Sequence, residues 1–151
     1  MKKWLIVCSL TFLLVACSNQ DPIWKSQSND SLELTKLSSR GITDQQPSDQ
    51  AKEFLSHYEE VSGVRAVNHD GQLVVAIDVH HHDRFSLDDI EKELRKDVKR
   101  NFSDINITLS SDQKIFIELK QLEEDILSEN ISEDEVNKRL NKIKKLSKEE
   151  T

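Results

Sequence analysis

The sequence predicts an α+β domain: a small three-stranded sheet with helices packed on one face, plus a C-terminal helix. One segment alternates apolar and polar residues with the period of a strand, whereas several others repeat apolar residues with the period of a helix. Along the chain these segments follow the order α-β-β-α-β-α, with a trailing α. Helices and strands mixed in this way favour two packed layers around one core.

The first helix and a β-hairpin come first in the predicted domain. A helix is expected after Ser48, which would cap its first turn, because apolar residues recur at helical spacing over residues 51–61. Residues 64–67 then predict a short strand, and Asp70-Gly71 supplies the left-handed backbone of a hairpin turn. Residues 73–79 alternate clearly and predict the partner strand.

A second helix, a third strand and a third helix complete the predicted domain. Ser86 precedes a helix whose apolar residues fall four apart, namely Ile90, Leu94, Val98 and Phe102. Residues 104–109 alternate as a strand does. Residues 111–127 keep helical spacing after a capping pattern, so we predict a helix there, although 114–119 are β-prone and a hairpin strand is the alternative.

A charged segment follows the domain. Ser132 would cap a final helix that has acidic residues at its start and lysines at its end, a polarity that suits the helix dipole. We therefore divide the chain into a signal peptide (1–16), a lipidated cysteine with a flexible linker (17–47), the α+β domain (48–128) and a charged C-terminal helix or tail (129–151). Four apolar residues in the linker would either dock on the domain or dip into a membrane interface: Trp24, Leu32, Leu34 and Leu37.

The N-terminus is typical of an exported lipoprotein. Lys2 and Lys3 precede an uncharged apolar run over residues 4–16, which is the layout of a signal peptide and too short for a stable membrane span of about 20 residues. The run ends in Leu14-Val15-Ala16-Cys17, which resembles the lipobox of bacterial prolipoproteins. We predict cleavage between Ala16 and Cys17, and a diacylglyceryl thioether on the Cys17 sulfur.

Charge and cysteine content exclude several classes of function. After removal of residues 1–16 the chain holds 19 basic residues (21 less Lys2 and Lys3) against 28 acidic ones, a net charge of −9. A body this acidic does not suit nucleic acid. Cys8 leaves with the signal peptide and Cys17 is consumed by the lipid, so the exported part has no thiol for disulfides or catalysis.

The histidine run 80–82 is the one candidate for a metal site. On a strand, His80 and His82 would share a face and could share a ligand, whereas His81 would point away. A closed zinc site needs four ligands, and no other cluster at ligand spacing accompanies the run. We predict no metal and no cofactor, with the histidines as a polar strand end and a His80–His82 metal pair as the alternative.

No catalytic pattern is visible either. The chain lacks a Gly-x-Ser-x-Gly elbow, and its three glycines are too few for a phosphate-binding loop. We therefore expect a protein that is not an enzyme.

Taken together, the chain resembles the sporulation lipoproteins of the YhcN/YlaJ type from spore-forming Bacilli. The resemblance rests on the lipobox, the polar spacer, residues 64–67 leading into Leu73-Val74-Val75-Ala76-Ile77-Asp78-Val79, and the later Ile107-Thr108-Leu109-Ser110-Ser111-Asp112. It implies a lipid-anchored protein of the forespore or spore inner membrane that contributes to germination or outgrowth, without catalytic residues. The alternative is a cell-envelope binding module for a lipid head group, a wall polymer or a protein partner.

Overall fold

A computed structural model describes residues 34, 36–37 and 44–149. The signal peptide, Ala16, Cys17, Trp24 and Leu32 lie outside the described residues. The elements in chain order are α1 (Gln46–Leu55), β1 (Val61–His69), β2 (Gln72–Val79), a 3₁₀ segment (His81–Ser86), α2 (Leu87–Asn101), β3 (Asn106–Ser110), α3 (Gln113–Leu127) and α4 (Glu133–Glu149). In the described part of the chain, no helix has the length and apolar character needed to cross a membrane.

The three strands form one mixed sheet in the order β1-β2-β3. β1 and β2 are antiparallel, and β2 and β3 are parallel. Asp70 (φ 47°) and Gly71 (φ 69°) form the predicted hairpin turn, with His69 paired to Gln72. The predicted α+β class and order of elements are confirmed. Residues 113–127 are helical, so the alternative of a strand at 114–119 is wrong.

The helices cover both faces of the sheet, whereas the sequence predicted helices on one face only. The odd-numbered residues of β2 from Leu73 to Val79 pack in one buried cluster with α1 and α2. Val74 and Ala76, on the other face, are buried with residues of α3 and α4. Because both faces of β2 are apolar, each needs cover, and the stripes of α3 and α4 provide it for the second face.

Side chains cover the outer edge of β1. The side-chain amide of Gln45 accepts a hydrogen bond from Asn68 N–H at 3.1 Å and donates to the Asn68 carbonyl at 2.7 Å. The Glu123 carboxylate accepts from Ala66 N–H at 3.0 Å. These side chains make hydrogen bonds to some of the β1 backbone groups with which a fourth strand would otherwise pair. They therefore protect this edge from pairing with another chain.

The start of α1 differs from the prediction that Ser48 is its cap. The helix begins at Gln46, and Pro47, in its first turn, has the backbone angle that suits this position. Ser48 lies inside the helix, where its hydroxyl donates to the Gln45 carbonyl at 2.8 Å.

The other predicted caps have mixed outcomes. Ser86 precedes α2 but makes no capping hydrogen bond with its side chain, because the 3₁₀ segment runs directly into the helix. Asp112 caps α3 by accepting from Ile115 N–H at 2.8 Å. Ser132 caps α4 as predicted, with its hydroxyl 3.4 Å from the Glu135 nitrogen.

Two apolar residues of the predicted linker pack on the domain. Leu37 is fully buried with α3 and α4, and its N–H donates to both Asp49 carboxylate oxygens, at 2.9 and 3.0 Å. Leu34 packs against the cluster on the other face. The sequence left open whether these residues dock on the domain or enter a membrane interface. In the structure, Leu34 and Leu37 dock on the domain.

Candidate ligand-binding groove

A groove of about 710 Å³ opens where the parallel strands β2 and β3 end. The carboxyl ends of neighbouring parallel strands meet at one edge of a sheet, and the crevice outside them is a common place for ligands. The groove is bordered by the 3₁₀ segment and by parts of α2, α3 and α4. Its lining side chains are Asp78, Val79, Arg84, Leu87, Asp88, Glu91, Lys92, Arg95, Ser110, Ser111, Asp112, Gln113 and Ser147.

One wall of the groove is tied together by Glu91. Its carboxylate accepts from Ser111 N–H at 2.8 Å and from the Ser111 hydroxyl, and it pairs with Arg95 one turn along α2. Arg95 also donates to the Leu109 carbonyl at 2.9 Å. These bonds join α2 to the end of β3 and fix the backbone that leads into α3.

The lining of the groove also includes cationic side chains with access to solvent. Arg84 lies 3.4 Å from the Asp78 carboxylate, and its side chain is 55% exposed. Lys92 is exposed on α2. Because these side chains retain exposed donors, they are able to bind a ligand that offers hydrogen-bond acceptors.

The chemistry of the groove suits binding better than proton transfer. Three lining carboxylates already have partners: Asp78 with Arg84, Glu91 with Arg95 and Ser111, and Asp112 with the first turn of α3. The remaining exposed groups of the lining are the cations of Arg84 and Lys92, the carboxylate of Asp88 and the amide of Gln113. This set fits a polar ligand that offers several hydrogen-bond acceptors.

The histidine run lies beside this region, at the end of β2. The rings of His80 and His82 stack with centroids 5.7 Å apart and planes 17° apart. The Nε2 atom of His82 lies 3.2 Å from an Asp83 oxygen. The structure thus brings His80 and His82 together. Within the described ranges, no three His, Cys, Asp or Glu side chains are placed to hold a metal ion.

A second polar cluster is buried between α1, β1 and α3. Lys52 Nζ lies 2.9 Å from an Asp49 oxygen and 3.3 Å from a Glu123 oxygen, and Arg65 Nη1 lies 3.3 Å from the other Glu123 oxygen. Burial raises the pKa of Glu123 above its ordinary value, while Lys52, the Ala66 N–H and Arg65 oppose this shift. The cluster joins three elements and none of its residues lines the groove, so we assign it a structural role.

Sequence reasoning missed both polar clusters. The spacing of apolar residues over 90–102 leaves Glu91 and Arg95 outside the apolar stripe and does not indicate that either contacts the end of β3. Glu91 and Ser111 are 20 residues apart, and Lys52 and Glu123 are 71 apart. Such separations leave no local pattern in the sequence.

Comparison of the chain with models of protein families, with curated proteins and with solved structures finds no match. The resemblance to sporulation lipoproteins therefore stays a prediction from the sequence.

Proposed function

We propose that the chain is a lipid-anchored, non-enzymatic accessory protein on the outer face of the cell membrane, and that it contributes to spore germination or outgrowth. The observation that carries the anchor is the lipobox Leu14-Val15-Ala16-Cys17 directly after an uncharged apolar run. The assignment to the spore is supported by the resemblance described above.

The anchor follows from the energetics of acyl chains in a bilayer. Each buried methylene contributes about 0.8 kcal/mol, and stable anchoring generally requires two chains. A diacylglyceryl group on Cys17 supplies both of them. The acidic domain then needs no electrostatic attraction to the membrane.

The lipid anchor is tested by replacing Cys17. In the producing cell, Cys17→Ala should release the protein from the membrane fraction or leave it unprocessed. Cys8→Ala is the matched control, since Cys8 lies in the removed segment, and it should leave retention unchanged. Mass spectrometry of the native chain should find a diacylglyceryl thioether at its N-terminal cysteine. A bare N-terminus, or full retention of Cys17→Ala, would refute the anchor.

The spore role is tested by deletion and complementation. Spores of a deletion strain should germinate or grow out more slowly than those of the parent. The wild-type sequence should restore the rate, whereas Cys17→Ala should restore it poorly. A deletion strain that germinates and grows out like its parent would count against this role.

The groove favours a second candidate, a cell-envelope binding module. Exposed Arg84 and Lys92 line it, so a wall polymer rich in hydroxyl and carboxylate groups is the ligand chemistry it suits. In sedimentation with purified cell wall, Arg84→Ala and Lys92→Ala should lower the bound fraction. Lys138→Ala, an exposed lysine on α4 outside the groove, is the control. Equal binding by all three variants would argue against the groove.

A further inference from the structure

Phe85 is the most exposed large apolar side chain of the described residues, with 99% of its surface accessible. The other large apolar side chain classed as exposed there, Ile117, is 49% exposed. Scattered apolar residues are common on protein surfaces. A phenylalanine with almost no protein contact, however, gains nothing from folding and is left available for a second surface.

The segment that carries Phe85 is held in place. His80 N–H donates to the Glu60 carbonyl at 3.0 Å, and Asp83 N–H donates to the His80 carbonyl at 2.9 Å. After Phe85, the chain enters α2, whose first residue Leu87 packs against the core. The aromatic ring is therefore presented by an ordered turn that is fixed at both ends, so insertion would require little further ordering of this turn.

The neighbours of Phe85 are polar and of mixed charge. Exposed His81, His82 and Arg84 precede it, and exposed Asp88 and Asp89 follow in the first turn of α2. These neighbours carry both signs of charge, so electrostatic attraction to anionic lipid is not the basis of a contact. One apolar ring among polar neighbours suits the boundary between head groups and acyl chains.

The length of chain outside the described domain determines what Phe85 can reach. Leu34 packs on the domain and lies 17 positions after Cys17 (34 − 17). A flexible chain of that length spans roughly 20–25 Å, and a fully extended one at most about 60 Å. An acyl group on Cys17 would therefore keep the domain within reach of the bilayer surface.

We propose that Phe85 inserts into the interface of the bilayer to which Cys17 tethers the chain, so that the end of the domain carrying the 3₁₀ segment faces the lipid. The inference rests on the proposed lipid anchor. A single aromatic ring binds lipid too weakly for a free protein, but the tether makes the contact intramolecular and raises its effective concentration. The domain would then stand in a preferred orientation rather than tumble freely.

The test couples the mature chain to vesicles through its only cysteine, Cys17, using a maleimide lipid. This coupling tethers the chain to the bilayer even if Cys17 is not lipidated in the cell. Absence of the natural lipid anchor and absence of Phe85 insertion are therefore distinguishable results. In a Trp24→Phe background, Phe85→Trp places the only tryptophan on the 3₁₀ segment. Asn106→Trp is the control, because Asn106 is exposed and pairs with Gln72, at the other end of β2.

Vesicles with brominated acyl chains should quench the probe at position 85 several-fold more than the probe at position 106. The emission at position 85 should also shift to shorter wavelength when lipid is present. Zwitterionic and anionic vesicles should give the same ranking, because the contact is apolar. Equal quenching at the two positions would overturn the proposal. An emission that is already shifted without lipid, and that depends on protein concentration, would assign Phe85 to a contact between copies and also overturn it.

A second variant tests whether the Phe85 ring itself makes the contact or whether this end of the domain merely lies near the bilayer. With the probe moved to exposed His81, replacement of Phe85 by alanine should lower the population in contact with lipid about tenfold, the change that about 1.4 kcal/mol produces. Circular dichroism should show that each variant keeps its fold, as expected for a side chain with 99% of its surface exposed. Unchanged quenching after Phe85→Ala would overturn the assignment to this ring.

Discussion

Replacing Glu123 by alanine removes the carboxylate on which the buried polar contacts of α1, β1 and α3 converge. Its oxygens lie 3.3 Å from Lys52 Nζ and 3.3 Å from Arg65 Nη1, and one accepts from Ala66 N–H at 3.0 Å. The side chains of Lys52 and Glu123 are each 1% exposed. Water therefore cannot take the place of the missing carboxylate without a rearrangement of the core.

The expected loss is large. Removing one partner of a buried ion pair costs about 3–5 kcal/mol when the remaining charge is left unpaired. Since Asp49 still pairs with Lys52, we expect the lower end of this range. The Ala66 N–H also loses its acceptor, which by itself costs about 1–3 kcal/mol and overlaps with the first figure. Domains are stable by only about 5–15 kcal/mol. Glu123→Gln should cost less than Glu123→Ala, because the amide oxygen can still accept from Ala66 N–H.

The measurement is urea unfolding of the mature chain with Cys17→Ser, followed by circular dichroism at pH 7. Glu124→Ala is the matched control, since Glu124 is exposed on the same helix and its loss should change the free energy of unfolding by no more than about 0.5 kcal/mol. The role of this carboxylate is refuted if Glu123→Ala is no more destabilising than Glu124→Ala, or if Glu123→Gln costs more than Glu123→Ala.

The same carboxyl group predicts a pH dependence. Burial raises the pKa of Glu123 above the 4.5 of an unperturbed glutamate, so the folded chain holds this proton more tightly than the unfolded chain. The extra stability that comes from holding this proton is fully present below that unperturbed value and is lost as pH rises through the folded pKa. The stability difference between the parent and Glu123→Gln should therefore shrink as pH rises through this window. A difference that grows with pH would contradict the assigned direction.

Three further substitutions test the fold, each by urea unfolding. Gly63→Ala should destabilise by about 1 kcal/mol, because its Cβ would lie 2.9 Å from the Phe116 ring, and Phe116→Leu should restore part of the loss. If Phe116→Leu restores no stability to Gly63→Ala, the contact with the Phe116 ring is not the cause of the loss. Gly71→Ala should also cost about 1 kcal/mol, since its φ of 69° strains any residue with a Cβ. Asp112→Ala should cost about 1 kcal/mol through loss of the α3 cap, and Asp112→Asn much less. Equal losses for these two Asp112 variants would refute the capping role.

The periodicity of the sequence determined the elements of the domain. The alternation of residues 73–79 predicted β2, Asp70-Gly71 predicted the turn before it, and the spacing of apolar residues predicted α2 and α3. These signals are local, since each depends on residues within a few positions of one another. Ser86 shows where such a pattern misleads, because a capping motif does not reveal that a 3₁₀ segment precedes the helix.

Only the tertiary structure decided how these elements cover the sheet and which polar groups meet. The apolar stripes of α3 and α4 are visible in the sequence, but their position on the second face depends on Val74 and Ala76 facing away from α2. Glu91 reaches Ser111 because β2 and β3 are parallel neighbours that end together. Contacts between distant segments depend on strand order and helix placement. A periodic pattern sets which side of an element is apolar, but it carries no information about which other element that side will meet.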